Sequence, residues 1–183
     1  LFGLGAMAEA GHEIDPGVIE RGAAYLREQL GAAGPRARAY MLYSLSMSGP
    51  LTGEDAAAAL ALLDEAENGD DPRLLDAFAL GALALALDAA GEAGAAQRAL
   101  DRLEATVEMA DDGATAHWGT SGDGLYDRKT MASATRSTAL ALSAFVRLRP
   151  GSELEPLMVN YLMSKRRGDG WGTTNETAHA IIG

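Results

Sequence analysis

The run LLDAFALGALALAL, Leu74 to Leu87, is apolar on every side when wound as a helix, and such a helix cannot face water. It is shorter than the roughly 20 residues a bilayer span needs, and Asp76 interrupts it. The run is therefore expected to be a core helix enclosed by other helices. With 48% hydrophobic residues in a chain of 183, there is material for that enclosure within one domain, residues 1–183.

Local signals supply the enclosing helices. Asp15-Pro16, Gly34-Pro35 and Asp71-Pro72 each offer a cap or a first-turn proline, and Gly11, Gly31, Gly49 and Gly91 mark helix ends. These signals predict helices over about 1–10, 16–30, 36–48, 53–67, 72–90, 94–109, 130–148, 154–166 and 174–183. Their character alternates. Helices 36–48, 72–90 and 130–148 are rich in Ala, Leu, Ser and Met, whereas 16–30, 53–67 and 94–109 carry Glu, Arg and Asp on one face. An inner layer closed by an outer amphipathic layer follows, with Ala37, Ala39, Ala84, Ala86, Ala139 and Ala141 allowing close approach of the inner helices. Both chain ends fall inside helices, so a closed ring built this way would lack members and the chain reads as a fragment of one.

An internal repeat supports the layering. TRSTALAL, Thr135 to Leu142, resembles TNETAHAI, Thr174 to Ile181, and His117-Trp118-Gly119-Thr120 prefigures Gly170-Trp171-Gly172-Thr173. In the second copy Gly168, Gly170 and Gly172 let the backbone turn around Asp169 and Trp171. Thr173 and Glu176 have the spacing of a capping box, which starts a helix near Thr174. Trp118 and Trp171 are expected to plug the ends of the helix layer, the alternative being a stacking platform for a sugar or an isoprenoid. Repeating helical hairpins with an enclosed inner layer predict an all-α fold, either an α/α toroid or an α-solenoid.

Composition narrows the function. A net charge of −11 and a pI near 4.6 argue against nucleic acid, and the basic run Lys165 to Arg167 is too short to alter that. The absence of cysteine removes disulfides, thiol nucleophiles and Cys-based zinc sites. His12, His117 and His179 have no ligand spacing and are expected at the surface or in caps. The acidic loops at Asn68 to Asp71, Asp111 to Gly113 and Gly122 to Gly124 do not match a calcium loop and read as caps and turns. The outer-helix acids Asp64 and Glu65 read as a solvated face, and no serine elbow or phosphate-binding glycine loop is found. The N-terminal LFGLGAMAEAG lacks the basic region of a signal peptide and is expected to begin within a helix.

Taken with the Trp-Gly loops, YLMSKRRGDGWGTTNETAHA and HWGTSGDGLYDRKTMASATRSTALALSAFVRL resemble the second half of the thioester-containing domain of the α2-macroglobulin and complement family. RARAYMLYSLSMSG and LLDAFALGALALALDAAG resemble two further inner helices of that domain, so the likeness covers nearly the whole chain. The resemblance implies an incomplete α/α toroid from a bacterial protein exported to the periplasm or cell exterior, serving as a protease trap rather than an enzyme. It implies a target protease and the remaining macroglobulin domains as partners, and no cofactor. The family's chemistry is a Cys–Gln thioester, and by the order of matching helices that segment and its assisting histidine would precede Leu1. No reactive residue of this chain is implied. The runner-up is a toroid enzyme of the terpenoid-cyclase or prenyltransferase type. Its repeats usually place Gln where Arg166 and Arg167 stand, and no acidic protonating cluster is found in an inner loop. An uncommitted helical-repeat binding module is the third reading.

Overall fold

The apolar run forms helix α5 (Ala77–Ala89), in which every residue from Ala77 to Leu87 is buried. The computed structural model describes residues 1–71, 73–119 and 133–182, and its fold is all-α. Before α5 come α1 (Phe2–Glu9), α2 (Pro16–Leu30), α3 (Pro35–Ser46) and α4 (Gly53–Asn68). After it come α6 (Ala93–Glu104), a short antiparallel pair of β1 (Glu108–Met109) and β2 (Ala116–His117), then α7 (Ala134–Leu148), α8 (Leu154–Lys165) and α9 (Thr174–Ile182).

Packing follows the alternation of composition. Helices α1, α3, α5, α7 and α9 touch in that order, and α4, α6 and α8 lie against this row from outside. The alanines expected at close crossings are fully enclosed, except that Ala37 is exposed. At Gly81 in α5 an added Cβ would stand 3.5 Å from the Leu140 carbonyl oxygen of α7, which measures how near the two inner helices come.

Several boundaries differ from expectation for local reasons. The helix predicted from residue 72 starts at Ala77, because the Asp76 side chain accepts from the Ala79 N–H at 2.9 Å. Asp71 instead closes a turn by accepting from the Arg73 N–H. Pro72 and residues 130–132 lie outside the described residues, and α7 begins after Ser133, whose hydroxyl accepts from the Arg136 N–H. The helix predicted to reach residue 109 stops at Glu104, and its last residues become β1, with Glu108 opposite His117. Gly91 ends α5 at φ +82°, with the Glu92 N–H donating to the Leu87 carbonyl and the Gly91 N–H to Asp88, while Gly31 stays right-handed.

The last carbonyls of a helix lack intrahelical donors. Here neighbouring elements supply them. Arg102 of α6 donates to Ala66 at the end of α4 at 2.8 Å, and Gln97 of α6 donates to Leu148 at the end of α7 at 2.9 Å. Among the described residues no helix is long and apolar enough to cross a membrane.

Candidate functional site

The two Trp-Gly loops are built alike at atomic level. Trp118 follows β2 directly, and Trp171 follows the second arm of a smaller bridge between Arg167 and Gly170. Each indole N–H donates to the end of the preceding outer helix, Trp118 to the Leu103 carbonyl at 2.8 Å and Trp171 to Leu162 at 2.6 Å. Each tryptophan backbone N–H donates to a threonine hydroxyl of the following inner helix, Trp118 to Thr138 at 3.2 Å and Trp171 to Thr177 at 2.8 Å. The sequence spacing between tryptophan and threonine is 20 in one copy and 6 in the other. The bonding pattern is thus kept across loops of unequal length.

The glycine after each tryptophan has a steric reason. At Gly119 a Cβ would lie 2.6 Å from a Glu108 carboxylate oxygen, and Gly172, at φ +51°, would place one against Glu176. Thr173 and Glu176 exchange the two bonds of a capping box, 2.8 Å from the Thr173 N–H to the Glu176 carboxylate and 3.2 Å from the Glu176 N–H to the Thr173 hydroxyl. Burial works to raise the Glu176 carboxyl, but hydrogen bonds from Thr173 and Ser133 hold it below its ordinary value. Trp118 is 1% exposed and packs near Phe145, whereas Trp171 is half-buried with the Arg166 guanidinium 5.7 Å from its ring.

A second cluster was not anticipated. Five rings or ring-bearing side chains from four inner helices converge: Phe2 of α1, Tyr40 and Tyr43 of α3, Phe78 of α5 and His179 of α9. Phe2 stacks on His179 with ring centres 5.8 Å apart, so the first and last helices meet here. From α7 comes Arg136, its guanidinium carbon 3.7 Å from the centre of the Phe78 ring and 5.9 Å from that of Tyr40. It lies in the first turn of α7, where the helix dipole disfavours a cation.

Burial sets the protonation of this cluster. It pushes His179 down to about 4, helped by the nearby Arg136 charge, so the imidazole is neutral near pH 7. Burial also raises the Tyr40 hydroxyl against the opposing effects of Arg136 and a hydrogen bond with Ser44. It lowers Arg136, which Tyr40 and Asp76 partly restore. His179, expected at the surface or in a cap, is a core residue with 6% exposure, because α9 is an inner helix and position 179 faces its neighbours. The signals for this cluster were a charged residue three places after the Ser133 cap of an apolar helix and a histidine in another inner helix.

Other candidates resolve into structural roles. His117 stacks on Tyr161 at 4.4 Å and reaches the Glu108 carboxylate at 3.5 Å across the β pair. Asp112 accepts from the Ala114 N–H, so the Asp111 to Gly113 loop is a turn of the same kind as the one at Asp71. The Gly122 to Gly124 loop lies outside the described residues. Among the described residues no group of three or more His, Asp or Glu side chains is placed to hold a metal. A cleft of about 300 Å³ between α2 and the end of α3 is lined by Ile19, Ala23, Arg27, Leu45 and Pro50. Its Arg27 is engaged by Asp55 at 2.8 Å. No protein-family model matches the chain, and no curated protein matches it.

Proposed function

We propose that the chain is a non-enzymatic part of a thioester-type α/α toroid from a bacterial α2-macroglobulin-like protein, serving a protease trap outside the cytoplasm. The observation that carries this reading is the duplicated tryptophan device. It lies in the two segments that carry the family resemblance, and in both copies it joins an outer helix end to the next inner helix by the same pair of hydrogen bonds. The row of inner helices backed by outer ones supports the toroid in the same way. A covalent trap needs a stiff frame that holds a reactive thioester away from water until a nucleophile reaches it, and side-chain locks at helix ends are a means to that stiffness. The partners on this reading are a target protease and the other macroglobulin domains of the parent polypeptide.

The test uses the parent polypeptide and the 183-residue chain side by side. The parent is expected to contain a Cys followed three residues later by Gln upstream of Leu1, to incorporate methylamine and to form a covalent adduct with trypsin. The present chain, with no cysteine, is expected to do neither. Covalent capture by the present chain, or turnover of an isoprenoid diphosphate by it, would overturn the reading.

A further inference from the structure

The inner row of α1, α3, α5, α7 and α9 returns on itself where Phe2 of α1 stacks on His179 of α9. This seam is thinly built. His179 is the one buried residue of α9, whereas α5 buries every residue from Ala77 to Leu87. From the other side α1 brings half-buried side chains, Phe2 among them, and its buried Gly5 has no side chain to add. The contact between the first inner helix and the last therefore centres on a group that can take up a proton.

The surroundings of His179 decide what that proton does. Phe2 lies across the seam, next to the Leu1 amino group. Helix α3 presents Tyr40, its ring centre 6.3 Å from the imidazole, and Tyr43, which packs on Phe2. Helix α5 presents Phe78 edge-on at 5.5 Å, and at its start Asp76, which pairs with Arg36 at 3.7 Å and also acts on Arg136. Helix α7 presents Arg136, whose charge adds to burial in keeping the imidazole neutral. On α9 itself, Glu176 is held in its cap by Thr173 and Ser133. An imidazolium formed in the closed seam would be desolvated and set near a guanidinium, and in water it would be neither.

We propose that the Phe2–His179 stack is an acid-released latch: uptake of a proton by His179 frees α1 and α9 from each other while α3, α5 and α7 stay packed. In the closed seam the imidazole is pushed down to about 4, and on release into water it returns toward its ordinary 6.5. The open seam thus binds the proton more tightly, and falling pH favours opening throughout that interval. Between pH 7 and pH 5 the opening equilibrium is expected to rise about twentyfold. Asp55 and Glu176 are both held below their ordinary carboxyl values of 3.8 and 4.5, so their caps stay intact in this window.

The experiment is amide hydrogen exchange of the 183-residue chain at pH 7 and pH 5, read as protection relative to the unstructured chain at each pH. Protection of α1 and α9 is expected to stay below that of α5 at both pH values and to fall about twentyfold at the lower one. In His179→Phe, which keeps a ring against Phe2, the fall is expected to be less than about threefold. His12 and His117 are present in both chains, so their titration cancels. His179→Gln, neutral at every pH, is expected to be equally insensitive and serves as the second variant. Protection of α1 and α9 that equals that of α5, that does not change between the two pH values, or that falls alike in the His179 variants would overturn the proposal.

Discussion

Trp118 and Trp171 do the same job to different depths. Trp118 is enclosed and ties α6 to α7, so Trp118→Ala should cost about 3–5 kcal/mol, the range for truncating a large core aromatic. Trp171 is half-buried, and its replacement should cost about 1–3 kcal/mol. Thr138→Val keeps the shape but deprives the enclosed Trp118 N–H of its acceptor, an expected loss of about 1–3 kcal/mol. Urea midpoints of the three variants should therefore fall in the order Trp171→Ala or Thr138→Val above Trp118→Ala. A Trp118→Ala chain as stable as its parent would show that the device is ornamental. The pairing of the two Trp-Gly loops was legible in the sequence because the residues on both sides repeat. The equivalence of Thr138 and Thr177 was legible from the repeated helix starts, but their bonds to the two tryptophans, at spacings of 20 and 6, were not. His179 was misplaced because a histidine in a short helix carries no local mark of the face it will turn to the core.

At the scale of elements, α4 shows how a single carboxylate serves two helices. Thr52 and Asp55 form a capping box, and the same Asp55 carboxylate is held by Arg27 of α2. Burial would raise Asp55, but the bonds from Arg27 and Thr52 hold it below its ordinary value of 3.8. A depressed carboxylate stabilises the fold above its unfolded pKa, and that contribution is lost as pH falls through the lower folded value. Loss from Asp55 thus belongs below about pH 4. His179 acts in a separate window. Its folded value of about 4 lies under the ordinary 6.5, so the unfolded chain binds the proton more readily between those values and stability falls as pH drops across them. That loss should be on the order of 3 kcal/mol between neutral pH and about pH 4. Thermal melts of the parent chain and His179→Phe should diverge across this window, the variant keeping its Tm as the parent loses it. Equal slopes would show that the imidazole is not held neutral.

For the molecule as a whole, stability should be graded from the centre of the inner row. Helix α5 is buried from Ala77 to Leu87, whereas α9 leaves Ile181 70% exposed and α1 leaves Met7 exposed. Amide exchange in α5 is expected to require global unfolding, while α1 and α9 open by sub-global steps. Their contact through Phe2 and His179 couples those steps, so Phe2→Ala should speed exchange in α9 as well as α1. Exchange in α9 that ignores Phe2→Ala would mean that the two helices are not coupled through this stack.

By itself the sequence determined the all-α class, the alternation of enclosed and solvated helices, and the caps at Asp15 and Thr173. Each of these depends on side-chain periodicity or on bonds spanning a few residues, which a linear text displays. The tertiary structure alone decided that α5 waits for Asp76, that Glu108 leaves the helix to pair with His117, and that Phe2, Arg136 and His179 meet. Those outcomes join residues far apart in the chain. Competing caps and helix ends are nearly equal in local free energy, so the choice among them falls to long-range packing, which no local pattern records.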